Sequence, residues 1–124
     1  MNNPPSVRPP RRALGLIEED LAMKLLTTHL RKTLPKLYAT EHDADPIVQV
    51  KFFATWSDWT WYATEFDGED TFFGLAVGHV AELGYFSLSE LEKGTGPIQV
   101  ERDLNFTPKP LSEVRSLHSG RDIA

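Results

Sequence analysis

The sequence predicts a small α+β domain, built on an antiparallel β-meander of four to five strands with short flanking helices. Residues 47–77 hold three apolar and aromatic runs of strand length, separated by turn signals. Shorter segments with helix caps lie before and after these runs. A length of 124 residues gives room for one domain around one core.

The first predicted element is a short helix that ends at Leu34. Thr27 or Thr28 can cap its start, and leucines recur on one helical stripe at positions 26, 30, 34 and 37. Pro35 disfavours the α conformation at Leu34, which stops the helix there. A polar loop, Thr40–Pro46, then separates this helix from the meander.

Three strands follow in sequence. Ile47–Ala54 alternates, which places Val48, Val50, Phe52 and Ala54 on one buried face. Trp56-Ser57-Asp58-Trp59 predicts a turn, since Ser and Asp side chains bond to nearby backbone. Thr60–Phe66 is the second strand, Asp67-Gly68 a hairpin signal and Thr71–Val77 the third strand.

The C-terminal part predicts shorter elements. Gly84–Ser87 indicates a fourth strand, and the capping box Ser87–Glu90 opens a helix at Leu88–Lys93 that Gly94 ends. Ile98–Leu104 is the candidate for a fifth, edge strand. The segment around Pro108 and Pro110 predicts a loop, and Leu111–Leu117 a last short helix.

Residues 1–22 are Pro-rich and predict a disordered extension, followed by one domain at 23–118 and a flexible tail at 119–124. The chain has no Cys, which excludes disulfides, thiolate zinc sites and a Cys nucleophile. No apolar stretch has the length of a membrane helix, and no signal peptide is recognisable. We therefore expect a cytoplasmic protein without a membrane partner.

Charge is distributed unevenly along the chain. The net charge is −5, but residues 41–92 hold eleven acidic residues against Lys51 alone, a local charge of −10. The meander is rich in aromatic residues, which can stack nucleic-acid bases, but such platforms also need surrounding Lys and Arg. The charge therefore argues against direct nucleic-acid binding and favours basic protein partners or cations.

The acidic hairpin at Glu65, Asp67, Glu69 and Asp70 is the densest group of candidate functional residues. Closely spaced carboxylates can bind a hard cation, although the spacing matches no known calcium loop. A solvated turn is the simpler interpretation, because Asp, Gly and Glu are common in turns. Trp56 and Trp59 flank the neighbouring turn and are the tryptophans expected to be partly exposed, as interface hot spots are. No motif for a cofactor or for catalysis is present.

The segment 46–92 resembles a known family. The resemblance is carried by Lys51-Phe52-Phe53, by the string from Trp56 to Gly68, by Phe72-Phe73-Gly74-Leu75 and by the run from Leu83 to Leu91. The family is the bacterial domain-of-unknown-function group 2958, found largely on plasmids and integrative elements. The resemblance implies a mobile-element setting and carries no catalytic residues over to this chain.

Three functional hypotheses follow. The first is a non-enzymatic binding protein of a mobile element, such as a DNA-mimicking inhibitor of a restriction or CRISPR nuclease, whose partner is a basic nucleic-acid-binding effector. Its expected contact residues are Asp58, Trp59, Glu65, Asp67, Glu69 and Asp70. The second is a metal-assisted hydrolase that uses Glu65, Asp67 and Asp70. The third is an accessory module of conjugation or replication.

Overall fold

A computed structural model describes residues 25–95 and 97–119 of the protein. The predicted extension at 1–22, the expected domain start at Met23 and, apart from Ser119, the predicted tail at 119–124 lie outside these residues. The described elements in chain order are α1 (Thr28–Thr33), β1 (Ile47–Val48), β2 (Val50–Ala54), β3 (Thr60–Phe66), β4 (Thr71–Val77), β5 (Ala81–Ser87), α2 (Leu88–Lys93), β6 (Val100–Arg102), β7 (Lys109–Pro110) and α3 (Leu111–Leu117).

Five of the strands form one antiparallel sheet in the order β5-β4-β3-β2-β6. The four strands from β2 to β5 are consecutive in the chain and adjacent in the sheet, which confirms the predicted meander. The strand predicted within 98–104 lies at the edge beside β2, as expected for the fifth strand. The α+β class is confirmed, with short helices packed around the sheet.

The prediction of one continuous strand at Ile47–Ala54 is wrong. The chain breaks at Gln49: β1 pairs with β7 in a separate two-stranded ladder, and β2 begins at Val50. Gln49 donates its N–H to the carbonyl of Ala63 over 2.9 Å, and Val48 packs on the face of the sheet opposite to Val50. The predicted loop at 108–110 therefore contributes the short strand β7.

The sheet has a core on each side. On the Phe52 face, Phe52, Phe66 and Phe72 pack against α1, α2 and the leucines at 25 and 26. On the Leu75 face, Tyr62 and Leu75 pack against β1 and α3. Most aromatic residues of the meander thus serve core packing, as the sequence suggested.

A β-bulge in β3 decides which side chains enter which core. The register between β3 and β4 shifts between Ala63 and Glu65, so that Thr64 is the extra residue. Simple alternation from Ala63 would place Glu65 on the Phe52 face. The bulge instead places Phe66 in the Phe52-face core and turns Glu65 to the opposite face.

The helices follow the sequence signals. Thr27 caps α1, accepting the N–H of Leu30 over 3.1 Å, and α1 ends at Thr33, with Leu34 as its C-cap before Pro35. Ser87 caps α2, and Gly94 ends it with a φ of 65°, in the left-handed region. Among the described residues, no helix combines the length and apolar character that crossing a membrane requires.

Candidate functional site

The turn between β2 and β3 presents two tryptophans at the surface; we call residues 55–59 the tryptophan turn. Trp56 has a φ of 64° and is 87% exposed, so its indole stands in solvent. Ser57 stabilises the turn by accepting the N–H of Trp59 over 3.1 Å. Trp59 is 43% exposed and stacks on Trp61 with ring centroids 5.9 Å apart.

A cleft of about 440 Å³ opens beside the tryptophan turn on the Phe52 face. Trp59, Trp61 and Phe86 form its aromatic wall, and α2 and the segment leading to β6 form the opposite side. Gly78 lies under the Trp59 ring, and a Cβ atom at this position would overlap it. Trp59, in the loop before β3, therefore packs closely on Gly78, the residue that follows β4.

The acidic turn at Asp67–Asp70 lies at the other end of β3. Asp67 shapes it, because one carboxylate oxygen accepts the N–H groups of Glu69, Asp70 and Thr71 over 2.8 to 3.0 Å. Gly68 takes a φ of 93°, which favours glycine. These N–H donors hold the pKa of Asp67 below its usual value, so the carboxylate stays charged.

Asp70 connects the acidic turn to helix α2. Its carboxylate accepts the Ser87 hydroxyl over 2.7 Å, the Ser89 N–H over 2.8 Å and the Ser89 hydroxyl over 3.1 Å. The Ser87 and Ser89 donors lower the pKa of Asp70. Asp70 therefore caps α2 from a distant part of the chain, and its charge is fixed in position by that contact.

Glu65 is apart from the acidic turn. Its side chain is only 3% exposed, and it accepts the N–H of Tyr38 over 2.8 Å and the N–H of Thr40 over 2.9 Å. The Thr40 hydroxyl donates to the same carboxylate. A buried carboxylate needs such donors, and here they fasten the loop after α1 to the sheet. Glu65 therefore presents no oxygen to a protein partner in this arrangement.

The six expected contact residues thus fall into three places. Asp58 and Trp59 lie at one end of β3, and Asp67, Glu69 and Asp70 at the other. A seven-residue strand separates them by about 23 Å, at roughly 3.3 Å per residue. Glu65 lies on the Leu75 face of the sheet. A single flat contact therefore cannot be centred on all six residues.

The carboxylates required by the hydrolase hypothesis do not converge. Glu65, Asp67 and Asp70 each accept bonds from different donors, and within residues 25–95 and 97–119 no group of three His, Asp or Glu is arranged to hold a metal ion. This geometry gives the hydrolase hypothesis no support.

A second surface was not anticipated from the sequence. Tyr38, Leu83 and Tyr85 are exposed together around a cleft of about 390 Å³ on the Leu75 face. The Tyr38 hydroxyl is a hydrogen-bond partner of Tyr85, and this contact raises the pKa of Tyr85. The signal was present as alternation in residues 81–87, but only the start of β5 at Ala81 reveals that Leu83 and Tyr85 share a face.

Comparison with protein families matches residues 16–118 to the family described as "Protein of unknown function (DUF2958)". The match includes every helix and strand of the described residues. No curated protein and no solved structure matches the chain.

Proposed function

We propose that this chain, which belongs to the DUF2958 family, is a non-enzymatic binding protein that docks onto a basic surface of a partner protein. The observation that carries the proposal is the conformation of Trp56. A bulky residue in the left-handed region costs on the order of 1–3 kcal/mol. This strained conformation leaves the indole of Trp56 87% exposed to water, where the ring contributes little to the stability of the fold. Interface hot spots are enriched in tryptophan, whose ring loses its contact with water when a partner covers it.

The charge of the exposed surface supports a basic partner. Asp58 lies in the tryptophan turn and Glu90 beside it, whereas Glu41 and Asp43 line the cleft on the Leu75 face. Of the eleven acidic residues in 41–92, nine are exposed, the exceptions being Glu65 and the half-buried Asp70. Such a surface accelerates association with a positively charged patch, and salt screens the attraction. Charge therefore supplies steering and the tryptophan turn supplies desolvated contact area.

The contact residues of this proposal are Trp56, Asp58 and Trp59, with Glu69 contributing charge from the acidic turn. Asp67 and Asp70 keep their charge but act mainly through the shape of that turn. Glu65 is left out, because its carboxylate is buried and bonded to the loop at 38–40.

A basic nucleic-acid channel is the type of surface that this charge pattern fits. The mobile-element setting implied by the resemblance favours a host defence nuclease, of the restriction or CRISPR type, as the owner of that channel. The chain would then act as an inhibitor that occupies the channel in place of DNA.

The test is DNA cleavage by a panel of restriction and RNA-guided nucleases with increasing amounts of the full chain, together with direct binding measurements. We expect inhibition of at least one nuclease, and binding that weakens from about 0.1 to about 1 M salt, as the screening length falls from about 10 to about 3 Å. Trp56→Ala should weaken binding by about 2 kcal/mol, close to thirtyfold.

Leu104→Ala is the matched control, because Leu104 is a 78% exposed apolar residue outside the tryptophan turn. It should bind like the wild type. Equal binding by a folded Trp56→Ala variant would contradict the proposed contact. If no nuclease in the panel is bound or inhibited, the defence-nuclease assignment fails, and an accessory role in conjugation or replication becomes the better hypothesis.

A further inference from the structure

The two edges of the five-stranded sheet differ in how they are protected. β6 is three residues long and contains Arg102, features that discourage pairing with another chain. β5 is seven residues long and pairs with β4 without a register shift. It contains no Lys, Arg or Pro, and no strand among residues 25–95 and 97–119 pairs with its outer edge.

The backbone groups on that edge can be assigned from the hydrogen-bond pattern. Leu88 donates its N–H to the carbonyl of Asp70 over 2.7 Å. Asp70 and Leu88 are the next pair after Thr71 and Ser87, the last pair of the β4–β5 ladder. Residues of an antiparallel strand alternate in direction, so the even-numbered residues of β5 bond to β4. The N–H and C=O groups of Leu83 and Tyr85 therefore point outward.

Helix α2 follows β5 directly but leads away from this edge. Leu91 and Gly94 line the same cleft as Ile98 and Val100, which belong to the region of β6 at the opposite edge of the sheet. The helix thus crosses the Phe52 face and leaves the outer side of β5 open to another strand.

We propose that β5 pairs antiparallel with β5 of a second copy of this chain, around a two-fold axis at Gly84. In this register Leu83 lies opposite the second copy's Tyr85, and Glu82 lies opposite its Phe86. Leu83 and Tyr85 both have outward-pointing backbone groups, so each such pair exchanges two hydrogen bonds. The register is self-complementary, as a two-fold interface requires.

Side chains fit this register as well. Leu83 and Tyr85 are 45% and 57% exposed on one face, where they form apolar cross-strand pairs with the second copy. The two Gly84 residues meet at the axis in a pair without hydrogen bonds, where strands approach most closely. A Cβ atom at Gly84 would have no atom of its own chain within 4 Å, so the Phe52 face of β5 is open at this residue.

Area and charge together predict a weak, reversible dimer. Tyr38, Leu83 and Tyr85 expose roughly 300 Å² of side chain per copy, with aromatic side chains at about 150–250 Å² each. When the paired backbones are added, the surface area buried by both copies together approaches the roughly 1,000 Å² needed for a specific contact. It stays below the standard interface size of about 1,600 Å². The two Glu82 side chains lie about four residues apart along the ladder, near 14 Å, beyond the roughly 8 Å screening length.

The experiment is analytical ultracentrifugation of the full chain between about 1 and about 200 μM, with amide hydrogen exchange at Leu83 and Tyr85. We expect a dimer with a micromolar dissociation constant and exchange protection at both amides that rises with protein concentration. Because each copy carries a net charge of −5, added salt should strengthen the dimer. Salt should instead weaken binding to the basic partner, so the effect of salt distinguishes the dimer from the proposed complex.

Leu83→Lys and Tyr85→Lys place an edge-protecting charge on β5 and should each weaken the dimer by about tenfold or more. Leu104→Lys adds the same charge at an exposed leucine outside the edge and should leave the dissociation constant within about twofold. A monomer at all concentrations overturns the proposal, as does a dimer unaffected by the β5 substitutions. Concentration-independent protection of both amides also overturns it, because another segment of the same chain then covers the edge.

Discussion

The carboxylate of Glu65 accepts the backbone N–H of Tyr38 over 2.8 Å, and Tyr38 has a φ of 73°. A tyrosine in the left-handed region is unfavourable by itself, and the bond to the buried carboxylate offsets part of that strain. The phenol of Tyr38, 61% exposed, is thereby kept beside Tyr85 at the β5 face. An acidic residue that looked like part of a binding turn instead organises a surface on the other side of the sheet.

Glu65→Gln should lower the free energy of unfolding by about 1.5–3 kcal/mol. The amide keeps one acceptor oxygen but places an NH₂ group against the N–H donors of the loop at 38–40. Urea unfolding followed by circular dichroism measures the change. Glu69→Gln removes the same charge from an exposed position and should change stability by less than about 0.5 kcal/mol. Equal losses in the two variants would contradict the anchoring role of Glu65.

Acid should unfold the protein partly through Asp67 and Asp70. Both have pKa values lowered by N–H and hydroxyl donors in the folded state. Their contribution is therefore complete above the unfolded pKa of about 3.9 and is lost as the pH falls through the lower folded values. The urea concentration at the unfolding midpoint of the wild type should decrease as the pH is lowered below about 4. In Asp67→Asn and Asp70→Asn the decline should be shallower, and an unchanged pH profile in both variants would refute this assignment.

Gly78→Ala should disturb the tryptophan turn. The added methyl group overlaps the Trp59 ring, which must move off the sheet. We expect a red shift of tryptophan fluorescence and a loss of about 1–3 kcal/mol in unfolding free energy. Gly84→Ala is the matched control, since its methyl group has no neighbour within 4 Å, and it should leave the emission maximum in place. If the Gly78 variant emits like the wild type, the packing of Trp59 on Gly78 is not as described.

Alkaline pH should destabilise the protein through Tyr62. Burial, followed by the nearby charge of Asp103, raises the pKa of Tyr62 to about 12, and its hydroxyl lies 2.7 Å from Nε2 of His118. A raised folded pKa gives stability that is complete below the unfolded value of about 10 and is lost as the pH rises through about 12. Ultraviolet titration should show Tyr62 ionising near pH 12. Tyr62→Phe should remove the ionisation near pH 12 and flatten the stability decline between about pH 10 and about pH 12.

Local signals in the sequence predicted most of the secondary structure. The apolar and aromatic runs at Thr60–Phe66 and Thr71–Val77, the hairpin signal at Asp67-Gly68 and the capping box before α2 each act within a few residues. The break at Gln49 could not be predicted in this way. It depends on pairing with Lys109 and Pro110, about sixty residues later in the chain.

The candidate site was less predictable than the fold, because its hydrogen bonds also join residues that are far apart in the sequence. Asp67 and Asp70 are close in sequence, but the second is bonded to Ser87 and Ser89 across the β4–β5 hairpin. The partners of Glu65 come from the loop after α1. Charge and spacing identified these residues as unusual, whereas their roles depend on distant donors. The exposure of Trp56 and Trp59, expected from their position in a turn, is confirmed.

The bulge at Thr64 decides on which face of the sheet the last residues of β3 lie. If β3 kept Thr64 but paired regularly with β4, Glu65 would enter the aromatic core beside Phe52, and Phe66 would lie among the donors at 38 and 40. Deleting Thr64 would have the opposite effect, because Ala63, Glu65 and Phe66 would then alternate and keep their present faces. A chain one residue shorter at this point should therefore retain both the aromatic core and the Glu65 anchor.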